Sequence, residues 1–175
     1  AGQAAYFIRL GGCDVGCVWC DVKDSWDANA HPRMTIENIV AAAQNSPARI
    51  AVVTGGEPAM HQLKPLTDAL IGAGFRTHIE TSASNIVSGA WHWVTLSPKK
   101  FKAPLSSELA KADELKIIVF NKSDFKWAEE YAALVPPDCK LYLQTEWDKR
   151  DEMTPQIIDY IMQNPRWQLS MQTHK

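Results

Sequence analysis

The sequence predicts an α/β fold with a mostly parallel sheet of about seven strands, joined by right-handed crossovers into an incomplete, reduced (β/α) barrel. Three observations predict it. Short β-forming, apolar runs are bounded by glycine, proline and polar clusters. Stretches with helical spacing of apolar residues lie between them. Polar motifs recur where the strands' carboxyl ends fall, which is where barrels and open α/β sheets place their sites.

The first strand, 5–10, ends at Gly11-Gly12. Its alternation puts Tyr6, Ile8 and Leu10 on one face and Phe7 and Arg9 on the other. If the apolar trio packs on outer helices, Arg9 points inward; a surface salt bridge is the competing reading. Thr35 caps a helix carrying Ile36, Ile39, Val40 and Ala43, which ends near Asn45-Ser46-Pro47. A buried strand, 49–53, delivers Thr54-Gly55-Gly56-Glu57-Pro58, whose glycines let backbone N–H and C=O groups approach a ligand closely. Leu63, Leu66, Leu70 and Ile71 define the next helix, stopped by Gly72 and Gly74.

The strand 75–79 leads into Glu80-Thr81-Ser82-Ala83-Ser84, a cluster that either reaches a ligand or is a solvated loop. The strand 91–96 closes in Ser97-Pro98-Lys99, by composition a turn with a cation. Strands over 114–120, 140–145 and 167–173 complete the sheet, with helices over 123–134 and 154–162 between them. Pro155 is placed at the first position of the latter helix.

At 175 residues the chain suits one domain. A net charge of −2 offers no basic field for nucleic acid, and no apolar run approaches the ~20 residues of a membrane span. With no basic-then-apolar leader, the chain reads as cytoplasmic, where thiols stay reduced. The seven tryptophans are scattered, and Cys139 reads as a small buried hydrophobe. The histidines share no ligand spacing.

Cys13, Cys17 and Cys20 follow a CxxxCxxC spacing inside Gly11–Asp21, tight enough for thiolates to converge on one metal centre. They leave an open coordination position, which a reactive centre needs and a closed structural site lacks. Structural zinc would take His31 or Asp21 as fourth ligand, but the paired-ligand spacing of such sites is absent. An odd set of close cysteines cannot pair off in disulfides. An iron–sulfur cluster is what is left.

The CxxxCxxC loop, with Trp19 before its last cysteine, and Thr54-Gly55-Gly56-Glu57-Pro58 together resemble the radical S-adenosylmethionine (SAM) superfamily. Phe7-Ile8-Arg9-Leu10, Trp19-Cys20-Asp21, Ser97-Pro98-Lys99 and the segment 169–175 narrow the likeness to the 7-carboxy-7-deazaguanine synthases, over nearly the whole chain. The resemblance implies a 4Fe–4S cluster on Cys13, Cys17 and Cys20, with SAM chelating the remaining iron. It implies SAM contacts at Trp19, Asp21, Gly56, Ser97, Pro98, Lys99, Gln144, Thr145, Glu146 and Trp147, and substrate contacts at Arg9 and Thr54. The reaction implied converts 6-carboxy-5,6,7,8-tetrahydropterin to 7-carboxy-7-deazaguanine, with ring contraction, loss of ammonia and SAM regenerated. An electron donor such as flavodoxin and a homodimer come with it.

Many synthases carry a threonine, a magnesium ligand, where this chain has Val22, which offers no oxygen. The ion is then held by substrate, water and Asp21 or another carboxylate, or is weakly required. The family's Gly/Glu-rich substrate loop before the first strand, and the few residues after the Gln-Thr-His-Lys match, are expected to be missing from this chain. The rival readings are a radical SAM activase that places a glycyl radical on a partner protein, and a non-catalytic metal-binding module.

Overall fold

A computed structural model describes residues 2–172 of the chain. Seven strands form one sheet in sequence order, every neighbouring pair parallel: β1 Tyr6–Leu10, β2 Ile50–Gly55, β3 Arg76–Thr81, β4 Trp93–Leu96, β5 Glu114–Val119, β6 Lys140–Thr145 and β7 Trp167–Ser170. Five helices are described with them: α1 Ile36–Gln44, α2 Lys64–Gly72, α3 Ser106–Leu109, α4 Ser123–Ala132 and α5 Arg150–Gln163. Strand order that never reverses winds the chain one way round, so the connections cover one face and leave the other concave.

Alternation along the strands fits this arrangement. Ile8, Val53, Ile79, Leu96, Leu115, Ile117 and Leu143 belong to the buried core. Met153 and Ile157 of α5 and Ala128 of α4 join the same core. The opposite faces of the strands line the concave side with Arg9, Thr54, His78, Glu80, Trp93, Thr95, Glu114, Lys116, Tyr142 and Gln144. Arg9 therefore lines the concave side while staying exposed, which is the first of the two readings that the alternation of β1 leaves open.

The Thr35 cap forms, its hydroxyl accepting from the Asn38 N–H at 3.3 Å. α2 runs through Gly72, and Gly74, at φ +85°, makes the left-handed turn that ends it. Ile71, predicted on its apolar face, is instead exposed. β3 extends to Thr81, so Glu80 lies inside the strand rather than in the loop beyond it. Trp91 falls in the loop before β4, where its indole donates to the Ser88 carbonyl at 2.9 Å.

The largest departure is α5, which begins at Arg150, so Pro155 is inside the helix and not at its first position. A 3₁₀ turn, Trp147–Lys149, feeds the helix directly, and Asp151 and Glu152 favour its positive end. The hydrogen bond lost at Pro155 frees the carbonyl of the exposed residue Asp151, where water can replace it. α3 is a single turn, too short to leave a period in the sequence. β7 ends at Ser170, so Met171 and Gln172 fall outside the strand expected over 167–173, and the Thr173-His174-Lys175 end of the family likeness lies outside the described residues.

Leu143 is fully buried in the middle of β6. Leu143→Ala is expected to cost about 2–5 kcal/mol, read as a lower urea midpoint with an unchanged slope.

Candidate functional site

The ends of β1 and β2 hold the site together. Leu10 pairs with Gly55, and beyond that pair the Gly56 N–H donates to the Leu10 carbonyl at 2.9 Å and the Glu57 N–H to the Gly12 carbonyl at 2.8 Å. Gly55 sits at φ +139°, and a Cβ there would meet the Leu10 oxygen at 2.1 Å; one on Gly56 would meet the Gly12 oxygen at 2.1 Å and the Cys13 Cβ at 3.0 Å. Only glycine allows this approach. The cysteine loop is closed from its other side by the Gly12 N–H on the Ser25 carbonyl at 2.7 Å and the Cys13 N–H on the Trp26 carbonyl at 3.2 Å.

Glu57, 2 % exposed, links this floor to β3. Its carboxylate accepts from the Ala59 N–H at 2.9 Å, the Ser82 N–H at 2.8 Å and the hydroxyls of Thr81 and Ser82. A buried carboxylate is tolerable only when so satisfied. From the β4 side, Phe101 packs edge-on to Trp19 at 5.8 Å between centroids. Lys102 pairs with Asp14 at 2.6 Å, inside the cysteine loop.

Above the concave face lies a cavity of about 1230 Å³. Cys13, Cys17 and Cys20 border it, and so do Arg9, Trp19, Asp21, Val22, Thr54, Gly56, Ser97, Lys99 and the group Gln144, Thr145, Glu146 and Trp147. Pro98, between Ser97 and Lys99, is buried and does not border it. Thr145 bonds to Thr154 of α5 through their hydroxyls at 3.0 Å, and Glu146 caps the 3₁₀ turn Trp147–Lys149 by accepting from the Asp148 N–H at 3.1 Å, so both side chains already hold the structure that follows β6. His31 is held by the Asp24 carbonyl at 2.8 Å and is not placed as a fourth ligand.

Burial pushes the Cys17 thiol up to about 11, with Lys99 opposing that rise and Cys20 and Cys13 adding to it. Burial likewise pushes the Lys99 ammonium down to about 8, against the pull of Cys17. The thiols thus lie within each other's field and beside a cation. Among the described residues no three His, Cys, Asp or Glu side chains already converge at ligand distance, so the convergence expected from the spacing is incomplete. Metal binding takes thiols as thiolates, draws them onto one centre and releases their protons. The donor set still fits a cluster: sulfur-only, on one loop, at a cavity that leaves room for a further ligand.

Sequence reasoning gave no role to Glu57, Trp93, Glu114, Lys116 or Tyr142, all of which line the cavity or hold its wall. The signal existed in β5, where Glu114 and Lys116 alternate with Leu115 and Ile117. In a sheet whose outer face is covered by helices, such alternating polar residues must face a cavity.

The structure aligns with the solved Streptococcus suis SuiB bound to S-adenosylmethionine at TM-score 0.64, covering 96 % of this chain and 46 % of that one, at 12 % identity, a likeness of fold alone. It aligns with the crystal structure of QueE from Escherichia coli at TM-score 0.84 and 36 % identity, covering 99 % and 87 %. The all-parallel, partly open barrel with its cysteine loop after β1 is that of a radical SAM enzyme. No protein-family model matches the chain. The 7-carboxy-7-deazaguanine synthase of Flavobacterium psychrophilum is 53 % identical over 174 residues, 99 % of this chain and 82 % of the relative. That of Synechocystis is 46 % identical over 175 residues, 100 % and 84 %, and that of Escherichia coli K12 34 % over 200 aligned positions, 99 % and 89 %. The chain belongs to the 7-carboxy-7-deazaguanine synthase family.

Gly56→Ala drives a methyl group into the Gly12 carbonyl and Cys13. The expected outcome is a folded protein by circular dichroism that takes up less than half the iron and sulfide of wild type after anaerobic reconstitution.

Proposed function

We propose that the chain converts 6-carboxy-5,6,7,8-tetrahydropterin to 7-carboxy-7-deazaguanine, with Cys13, Cys17 and Cys20 holding a 4Fe–4S cluster and the cavity wall holding SAM. The observation that carries this reading is the register of β1 and β2, which sets Arg9 beside Thr54 on the concave face, next to the cysteine loop. The cluster and SAM, when bound, supply one-electron hydrogen-abstraction chemistry. The chain's own residues bind, orient and exclude water.

Arg9 grips the substrate carboxylate, for which its planar fork is suited, and Thr54 offers a hydroxyl beside it. Gly56 presents bare backbone to the amino-acid end of SAM. Trp19, Asp21, Ser97, Lys99, Gln144 and Trp147 face the same cavity and supply the remaining walls. Pro98, Thr145 and Glu146 act by shaping backbone, since their side chains are buried or committed elsewhere.

Val22 borders the cavity with no oxygen to give, so magnesium, held by the substrate carboxylate, water and Asp21, is required less strongly here than where threonine stands. An electron-donor protein such as flavodoxin, a homodimer and a cytoplasmic setting belong to the same reading.

The test is anaerobic turnover with SAM, a reductant and the pterin, followed by mass spectrometry with and without magnesium. Deazaguanine carboxylate should form without net loss of SAM, and omission of magnesium should lower the rate less than tenfold. Arg9→Met should raise KM at least tenfold while the cluster spectrum stays that of wild type. Formation of 5′-deoxyadenosine with the pterin untouched would remove the substrate assignment and leave the cluster.

A further inference from the structure

The concave face carries a charged pair on β5 that no role above uses. Glu114 and Lys116 lie two residues apart on the inward side, about 6.6 Å along the strand. Thr95 pairs with Glu114, Thr95 pairs also with Glu80, and Val53–Ile79 pairing puts Thr54 level with Glu80. Since Arg9 pairs with Thr54, one row of the sheet runs from Arg9 through Thr54, Glu80 and Thr95 to Glu114. Arg9 and Glu114 thus stand on well-separated strands at one level of the cavity.

The two ends of that row differ in chemistry. Arg9 is a donor suited to a carboxylate. Glu80 is engaged by Lys116 at 3.4 Å. Glu114 accepts a 3.3 Å hydrogen bond from the neutral Trp93 indole, which leaves lone pairs on its carboxylate facing the cavity. Burial lifts the Glu114 carboxyl above the usual carboxylate range, with Lys116 and the Trp93 hydrogen bond pulling the other way. A half-buried carboxylate held this way gains from a ligand that brings N–H donors.

A 2-amino-4-oxopyrimidine edge presents one acceptor, the 4-oxo oxygen, followed by two parallel donors, the ring N3–H and the exocyclic amine. Lys116 and then Glu114 present one donor group followed by a two-oxygen acceptor. We propose that Glu114, with Lys116 beside it, is the specificity-determining group for the 2-amino-4-oxopyrimidine ring, at the far end of the ligand from the carboxylate gripped by Arg9. This rests on the pterin reading above and deepens it. The carboxylate accepts the N3 and 2-amino hydrogens as a bidentate pair, and the ammonium donates to the 4-oxo group. A ring with oxygen in place of the 2-amino group would set a lone pair against the Glu114 carboxylate and be rejected.

The experiment measures equilibrium binding of two unreactive fluorescent ligands, 6-carboxypterin and its 2-oxo counterpart 6-carboxylumazine, to reconstituted, SAM-loaded protein. Wild type should prefer the 2-amino ligand by about tenfold to a hundredfold, the range of a charge-assisted hydrogen-bond pair. Glu114→Gln, whose amide donates as well as accepts, should bring the ratio to within about threefold of unity while SAM affinity is unchanged. Glu114→Asp, which withdraws the same carboxylate, should lower the ratio without inverting it and serves if Glu114→Gln does not fold. A wild-type ratio surviving in Glu114→Gln, or in Glu114→Asp where that alone folds, overturns the assignment and leaves the pterin reading intact. Failure of wild type to bind either ligand overturns both.

Discussion

The site depends on a pair of backbone hydrogen bonds, Gly56 N–H to Leu10 and Glu57 N–H to Gly12, which sew the loop after β2 onto the loop after β1. Parallel strands do not by themselves fix the loops that leave them. Here the ladder continues past the last strand pair, because two glycines in succession allow one backbone to lie on another. Each bond contributes only about 0.5–1.5 kcal/mol net. Their importance lies in position: the cysteine loop takes its place from the sheet rather than from a core of its own, and Gly56 is brought against Cys13 by the same contact.

From that seam the constraint spreads sideways through polar contacts. Glu57 carries it to the end of β3 through Thr81 and Ser82. Asp14 carries it to the loop after β4 through Lys102, and Asn85 also donates to Asp14, at 3.2 Å. Lys100 in that same loop pairs with the buried Asp124, whose other oxygen accepts from the Phe120 and Asn121 N–H groups at the start of α4. A cluster loop could move independently if it were attached at one point. Tied to the ends of β1, β2, β3 and β4, it moves only with the top of the barrel. The exposed pairs in this chain are weak singly, and the buried carboxylates Glu57 and Asp124 are the members whose loss leaves unsatisfied donors behind.

How much of this was readable in the sequence follows from what each feature rests on. Strand period puts Arg9 on the face opposite the apolar trio of β1, because alternation is local; that this face is the concave one needed the covering helices and the family likeness as well. The cysteine loop is legible because ligand spacing is a property of a few consecutive residues. Glu57 is not: its partners lie on β3, and the buried state of a glutamate is decided by distant donors. Glu114 and Lys116 carried a period-two signal that becomes informative only once both faces of the sheet are assigned. Pro155 misleads because a proline marks a helix start well but is also tolerated where the freed carbonyl meets water.

A sheet lined with Glu80, Glu114 and Lys116 on its concave side is an unfavourable way to build a core, since each of these half-buried charges loses water, whereas Arg9 at the edge strand stays exposed. The fold tolerates it because the apolar burial needed for stability is on the other side, where Ile79, Leu115, Ile117 and Leu143 meet the helices. The two faces of each strand therefore do separate jobs, and the charges inside are free to be arranged for a ligand rather than for stability. Their arrangement has a sense. Cations stand at Arg9 on β1 and at Lys99 beyond β4, near the thiols, while the acids Glu80 and Glu114 stand on β3 and β5 with Lys116 between them. Among the described residues, Lys116 forms an ion pair with Glu80 at 3.4 Å, whereas no ion pair within 4 Å holds Arg9 or Lys99. A small molecule with a carboxylate at one end and a row of N–H donors at the other completes the pairing that the protein leaves open, and a molecule lacking either end does not.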